Sequence, residues 1–384
     1  MLKRVEANEE REGPEIVDPQ DAAESAGLVY VHDDREPGIT RRRSGKGWSF
    51  RAPDGTAVKD RATIERIHKL AIPPAYTDVW ICADPRGHIQ ATGRDDRGRK
   101  QYRYHPAFRE LRDSAKYEHV TAFAAVLPRI RATVKSHMAL RGLPRQKVLA
   151  TVVYLLETTL IRVGNEGYAR QNHSYGLTTL EDRHVDAHGA DLRFEFKGKS
   201  NKIWKLKVHD RRVAKIVKAC HDLPGQHLFQ YLDHDGHQHA VSSHDVNDYL
   251  REITGRDVSA KDFRTWAGTV LAAVALHEFG TIDSAAKAKK NVRAAIERVS
   301  ARLGNTPTIC RKCYIHPEVV NSYMAGGLLL EIKEEVDAEL RDELPRLKPE
   351  EVAVLTLLER RIAGDLAGGA DRAAAPKRGR RRAA

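Results

Sequence analysis

The sequence predicts an α+β protein: a small β-rich N-terminal lobe, then a mainly helical domain carrying a small antiparallel sheet. Three observations predict it. Between residues 28 and 106 the apolar runs are short and broken by Gly, Pro and Asp, the texture of strands and turns. After residue 106, apolar residues recur at helical spacing over long stretches. Within that helical half, alternating runs cluster between residues 183 and 208.

Taken in order, residues 1–24 set Lys3, Arg4 and Arg11 against a majority of acidic side chains and read as a disordered acidic lead-in. The first domain spans 25–112. In it LVYV (28–31), GWSFRA (47–52), VWICAD (79–84) and HIQATG (88–93) read as strands, and TIERIHKLA (63–71) as one helix stopped by Pro73-Pro74. The helical domain spans 113–365, with the boundary near 106–118. Helices are expected over 117–142 and 145–165; the second has Leu149, Val152, Val153, Leu156 and Leu160 on one face and Gly164 as its stop. RHVDA (183–187), DLRFEFKG (191–198) and KIWKLKV (202–208) read as strands, the last two joined by the turn KGKSN. Helices resume at 210–221, 244–254, 260–279 and 283–302, with Phe263, Trp266, Val270 and Val274 spacing the third. Residues 303–316 read as irregular, and more helix follows to about 365. Residues 366–384 read as a basic disordered tail, with Lys377, Arg378, Arg380, Arg381 and Arg382 near its end.

Composition narrows the function. The chain has 384 residues, 65 Lys+Arg against 53 Asp+Glu, and a formal net charge of +12. A hydrophobic fraction of 41% excludes a wholly disordered chain. No apolar stretch approaches the ~18 residues of a membrane span, and MLKRVEANEEREGPE has no apolar core, so neither a membrane nor a secretory address is expected. The four cysteines (Cys82, Cys220, Cys310, Cys313) are too few for a disulfide scaffold and read as reduced thiols of a cytoplasmic protein. A basic excess on a folded chain points to a polyanion, nucleic acid first.

Several apparent motifs fail on context. Gly198-Lys199-Ser200 lacks the first glycine of a phosphate loop, because Arg193 stands there, and it joins two strands rather than a strand and a helix. An ATP-driven enzyme is therefore not expected. Cys310-x-x-Cys313 has no second ligand pair for zinc and no βαβ context for redox chemistry. His234, His237, His239 and His244, with Asp233, Asp235 and Asp245, read better as a polar turn at Asp235-Gly236 and an N-cap at Ser243 than as a metal site. No metal and no cofactor are expected. ATGRDDRGRKQYRYHP (91–106) interleaves basic side chains with Tyr102 and Tyr104, which suits contact with DNA phosphates and bases better than a solvated loop.

The informative set is dispersed: Arg162 after an apolar helix, Lys199 in a strand turn, Arg264 in AKDFRTW beside the apolar face of its helix, and Tyr314 in LGNTPTICRKCYIHP. Each alone is ordinary. Together they supply a phosphodiester chemistry: a tyrosine nucleophile, two guanidiniums for the non-bridging oxygens, and a lysine to protonate the leaving sugar oxygen.

In that order, with Lys261-x-x-Arg264 and LGNTP (303–307) between, the residues resemble the type IB DNA topoisomerases in their short bacterial and poxvirus branch. The likeness covers about residues 28–345 and includes IPPAYTDVW (72–80) and TGRDDRGRKQYRYHP (92–106). It implies a bi-lobed clamp, acting as a monomer without ATP or cofactor on duplex DNA, preferably supercoiled, in the cytoplasm and nucleoid. Tyr314 would form a 3′-phosphotyrosyl link, Arg162 and Arg264 would stabilise the pentacoordinate phosphorus, Lys199 would act as general acid and Lys261 would assist. DNA contacts are expected at Tyr76, Arg97, Arg99, Lys100, Gln101, Tyr102, Tyr168 and Lys202. The family's pattern LGHTP is LGNTP here, so Asn305 is expected to keep a hydrogen-bonding role toward the phosphate and to lack the charge of a histidine. Two other readings are a tyrosine site-specific recombinase and a non-catalytic DNA-architectural protein. Lys261 stands where recombinases carry the histidine of their His-x-x-Arg box, and mere binding needs no aligned Arg, Lys and Tyr.

Overall fold

The structure is a computed structural model that describes residues 19–373, apart from 34, 46, 97, 281–283, 327 and 329–346. The lead-in 1–18, the end 374–384 and Arg97 thus lie outside the described residues. The chain divides into two compact units, Met1–Glu118 and His119–Ala384, and the architecture is α+β.

The first unit holds α1 (Pro19–Ser25), β1 (Ile39–Ser44), β2 (Gly47–Arg51), α2 (Arg61–Lys69), β3 (Thr77–Ile81), β4 (Ile89–Arg94), β5 (Lys100–Tyr104) and the start of α3 (Pro106–His137). The strands form one antiparallel sheet in the order β2-β1-β3-β4-β5. Asp60 caps α2 by accepting the Thr63 N–H at 2.8 Å, and Ile67 of α2 joins Ile39, Phe50, Ile81 and Ala91 in the core on one sheet face.

Two strands and a helix here were not expected. β1 reads ITRRRS, with no apolar alternation, because the inward Arg41 does structural work. Its guanidinium lies 4.1 Å from the Trp48 ring centroid and donates to the carbonyls of Pro73 (2.8 Å) and Tyr76 (2.7 Å), fixing the loop before β3. β5 is built from the stretch whose charge hid its strand character. Helix α1 corrects part of the lead-in: Ala22 and Ala23 are buried with Leu28 and Phe108. Strand character at 28–31 is limited to a bridge from Val29 to Gly87.

The second unit holds the rest of α3, then α4 (Arg145–Thr159), α5 (Glu166–Asn172), β6 (Val185–His188), β7 (Asp191–Lys197), β8 (Ile203–His209), α6 (Arg211–His221), β9 (Gln230–Leu232), β10 (Gln238–Ala240), α7 (Ser243–Thr254), α8 (Ala260–Glu278), α9 (Ala285–Leu303), α10 (Pro307–Cys313), α11 (Pro317–Met324) and α12 (Pro349–Ala373). Helices α4 and α8 are buried nearly all round, as central helices must be. β6, β7 and β8 form the expected antiparallel sheet. Differences are local. Helix α4 ends at Thr159, with Leu160 left-handed (φ 59°), so Arg162 lies past the helix and Gly164 is not its stop. The N-cap of α7 is Ser242 rather than Ser243. The 303–316 stretch contains α10, and α12 runs to Ala373, into the region read as a disordered tail.

At the polar turn between β9 and β10, Asp233 accepts from Asp235 N–H (3.0 Å), His237 N–H (2.8 Å) and the His239 ring (2.8 Å). Asp233, Asp235 and His237 bring possible ligand atoms within 4.8 Å of one another, but the Asp233 oxygens already serve the turn.

A buried polar group ties α12 to the centre. Glu351 accepts from Arg131 of α3 through both oxygens (2.9 Å each), from the Trp266 indole of α8 (3.2 Å) and from the Lys348 N–H (2.7 Å). Burial pushes the Glu351 carboxyl up, but these donors more than reverse it and leave it below the ordinary glutamate value. Replacing Glu351 by Gln is expected to cost about 2–3 kcal/mol in urea unfolding at pH 7, because charge-assisted bonds are lost in a buried setting. Its folded carboxyl being the more acidic, this contribution is present above the unfolded value and disappears as pH falls through the folded one.

Candidate active site

The site is assembled from three chain segments that meet at one guanidinium. The first follows α4. The left-handed turn at Leu160 points its carbonyl at Arg264, and residues 162–163 then pair with the chain returning after α5: Leu177 N–H to Arg162 C=O at 2.9 Å, Thr178 N–H to Val163 C=O at 2.7 Å. The approach is so close that a methyl on Gly176 would sit 2.6 Å from the Arg162 carbonyl oxygen and from the Gly164 nitrogen. This close pairing fixes the backbone that carries Arg162.

The second segment is α8. Its N-terminus is set by Asp262, which accepts from the Ser259 N–H (2.8 Å) and meets the His119 ring at 3.1 Å. One turn in, Arg264 is only 3% exposed. It belongs to the buried face of the helix, which corrects the expectation that it lies beside that face. It donates to the Leu160 carbonyl, to the Leu303 carbonyl at 2.7 Å and to Asn305 Oδ1 at 2.8 Å. Its buried Nε has no hydrogen-bond partner among the described residues. Burial lowers this guanidinium to about 10.

The third segment runs from the end of α9. Gly304 closes that helix in the left-handed region (φ +66°), the Asn305 N–H bonds back to Ser300 C=O at 3.0 Å, and Thr306 caps α10 with Pro307 in its first turn. Asn305 Oδ1 accepts from Arg162 Nη2 (2.7 Å) and Arg264 Nη2 (2.8 Å) together. An oxygen facing two donors fixes the amide orientation and turns Nδ2 away from the guanidiniums. Tyr314 caps the far end of α10, its ring centroid 5.1 Å from the Arg264 guanidinium. Burial raises its hydroxyl, but Arg264, Arg162 and Lys261 more than offset this, and the phenol is more acidic than an ordinary tyrosine. Cys310, one turn earlier, is buried and its thiol is pushed up to about 11 by burial.

The structure thus brings together Arg162, Arg264, Asn305 and Tyr314, with Lys261 close enough to act on the phenol electrostatically. Lys199 stands apart from their hydrogen bonds. It is exposed in the β7–β8 turn, its Nζ 5.5 Å from the ring centroid of Tyr168 in α5. The turn is closed by Gly198 N–H to Lys202 C=O (2.8 Å), with Ser200 and Asn201 left-handed. Trp204 docks it onto the site. Its ring fills the space over both Gly198 and Gly304, so that a methyl on either glycine would overlap it, and Lys202 Nζ lies 3.4 Å from the Ala301 carbonyl at the end of α9.

In the first unit, Arg99 pairs with Asp95 (2.6 Å), Gln101 donates to the same carboxylate (3.2 Å), and Lys100 pairs with Asp33 (2.6 Å). Tyr102 is exposed and stacks on Tyr104, and the Tyr76 side chain lies beneath Gly93. Not expected from the sequence were Arg41 and, near Tyr314, Gly268 and Thr269; the spacing of the latter two, four and five residues after Arg264, was the available signal.

Comparisons with known proteins give the family. Residues 105–342 match the family model for the eukaryotic DNA topoisomerase I catalytic core, and residues 47–95 match that for the N-terminal domain of bacterial DNA topoisomerase IB. DNA topoisomerase 1B of Acanthamoeba polyphaga mimivirus is 31% identical over 285 residues, covering 72% of this chain and 85% of that protein. DNA topoisomerase 1B of Vaccinia virus (strain Copenhagen) is 22% identical over 267 residues, covering 67% and 80%. DNA topoisomerase 1 of Drosophila melanogaster is 27% identical over 164 residues, covering 40% and 16%. The fold and these matches define a DNA-acting isomerase. The chain belongs to the type IB DNA topoisomerases. No helix among the described residues is long and apolar enough to cross a membrane.

Gly304→Ala is expected to lower stability by about 1–3 kcal/mol through overlap with Trp204 and a left-handed backbone, read as a lower urea midpoint. An unchanged midpoint would mean that the ring yields freely and does not brace the turn.

Proposed function

We propose that this topoisomerase relaxes supercoiled duplex DNA without ATP, by transient cleavage of one strand through Tyr314. The phenol oxygen attacks a backbone phosphorus and loses its proton to solvent water, and the bond from phosphorus to the 5′-oxygen breaks. A 3′-phosphotyrosyl ester and a free 5′-hydroxyl result. Lys199, carried over the DNA by its turn, gives the leaving oxygen a proton. Strand rotation releases torsion, and attack by the 5′-hydroxyl reverses the step. Because one phosphodiester is exchanged for another, no nucleotide hydrolysis is required.

The observation that carries this reading is the Asn305 amide oxygen shared by Arg162 and Arg264 beside an acidified Tyr314. The two guanidiniums repel each other, and a neutral acceptor between them holds both where charge develops on the phosphorane. The partnerless Arg264 Nε gains an acceptor in the phosphate or the phenolate. Asn305 Nδ2, turned away from both arginines, remains a donor for a non-bridging oxygen. Lys261 adds to the positive field. The same reading has the protein act as a monomer associated with the nucleoid in the cytoplasm, with Tyr102, Tyr168, Lys202, Tyr76 and the 97–101 stretch meeting duplex DNA. It assigns DNA gripping to 25–112 and the chemistry to 113–365.

Plasmid relaxation in EDTA without ATP tests it. Wild type should give a ladder of topoisomers, and Tyr314→Phe should bind DNA yet give neither ladder nor covalent adduct; a relaxing mutant would sink the mechanism. At position 305, Asp keeps the bridge but supplies an anion that competes with phosphate, so Asn305→Asp should cut the cleavage rate by about 10². Asn305→His should preserve or raise that rate, and collapse of the histidine variant with the fold intact would contradict a hydrogen-bonding role toward the phosphate.

A further inference from the structure

Tyr314 to His316 form a three-residue joint between two short helices, α10 and α11. The Tyr314 N–H closes α10 onto Cys310 C=O at 3.0 Å, and the His316 side chain caps α11 by accepting the Glu318 N–H at 3.1 Å. What lies between is held by α8. The Thr269 hydroxyl, fully buried, accepts the His316 N–H at 3.1 Å and donates to the Thr265 carbonyl at 2.8 Å, with the Tyr314 carbonyl oxygen 3.5 Å away. Beside it Gly268 leaves the room in which that carbonyl sits: a methyl there would lie 2.5 Å from the Tyr314 oxygen and 3.2 Å from its Cβ. Lys261, Arg264, Gly268 and Thr269 are spaced at three, four and one residues along α8, so they share one side of the helix.

We infer that Gly268 and Thr269 are positioning residues for the cleavage reaction, registering the Tyr314 backbone against the helix that also carries Arg264. This rests on Tyr314 being the nucleophile. Because Arg264 and the contacts to the nucleophile's joint stand on one rigid element, the distance from phenol to guanidinium is set by helix geometry, not by a flexible loop. Neither residue touches DNA phosphate in this scheme, so their effect falls on the chemical step and not on binding.

The test uses the full chain and a suicide oligonucleotide whose cleaved end dissociates, so that single-turnover cleavage is read as covalent adduct against time. Non-covalent affinity is measured separately with each variant in a Tyr314→Phe background. Thr269→Val, which keeps shape and removes the acceptor, should slow cleavage about tenfold or more with affinity within about twofold, as expected for a misplaced reacting group. Thr269→Ser, which keeps the hydroxyl, should restore the rate. Gly268→Ala should slow cleavage by about 10–100-fold, again without loss of affinity. It also carries the test if Thr269→Val does not fold. A wild-type rate for Gly268→Ala, a wild-type rate for folded Thr269→Val, or a serine variant as slow as the valine one would overturn the inference. Adduct formation by Tyr314→Phe alone would instead overturn the nucleophile assignment.

Discussion

A single buried cation holds the site's three segments together. Arg264 reaches the carbonyl that ends α4, the carbonyl that ends α9 and the amide oxygen of Asn305. Each acceptor sits at a chain turn, where a carbonyl has no helical partner and a donor is welcome. A guanidinium suits this position because it offers five donors in a plane and keeps its proton even when burial lowers it to about 10. Burying such a charge is costly, and neutral oxygens offset that cost only in part. The residue is therefore poorly explained by stability. The proposed function explains it, because that function calls for fixed positive charge facing a DNA phosphate.

That choice shapes the surroundings. Asn305 is a neutral acceptor for Arg162 and Arg264, so it draws the two cations together without cancelling them. A carboxylate would hold them more tightly but discharge them. The phenol beside them is acidified by the field that this arrangement preserves. The Glu351 network works the other way: Arg131 is paired with Glu351 and Glu157 and its charge is spent on anchoring α12. Two arginines in one helical unit are thus separated in role by whether a carboxylate is supplied.

The layout of both units was legible where the hydrophobic pattern was strong. α4, α8, α9 and the β7–β8 hairpin carry the spacing of their buried faces openly. The order of Arg162, Lys199, Lys261, Arg264 and Tyr314, with LGNTP, pointed to a candidate site because a phosphodiester chemistry needs those groups in combination, and the structure brings Arg162, Arg264, Asn305 and Tyr314 together. The illegible parts share a cause. β1 is a strand whose inward residue is Arg41, stacked on Trp48 rather than buried among aliphatics. β5 hid behind its charges, of which Lys100 is partnered by Asp33 from outside the strand. The break after Thr159 follows from a left-handed Leu160, whose carbonyl is claimed by a residue more than a hundred positions away, a contact no local pattern can report. Thr269 looks like helix filler until its hydroxyl is seen to hold a distant N–H.

Trp204 joins the two turns that carry Lys199 and Asn305. Its ring rests against Gly198 before Lys199 and against Gly304 before Asn305, and it stacks at a 4° interplanar angle on Phe196. Three positions therefore divide one fixed volume among themselves. A side chain at either glycine forces the ring to shift or calls for a smaller residue at 204, so a substitution at any one of the three is felt at the other two.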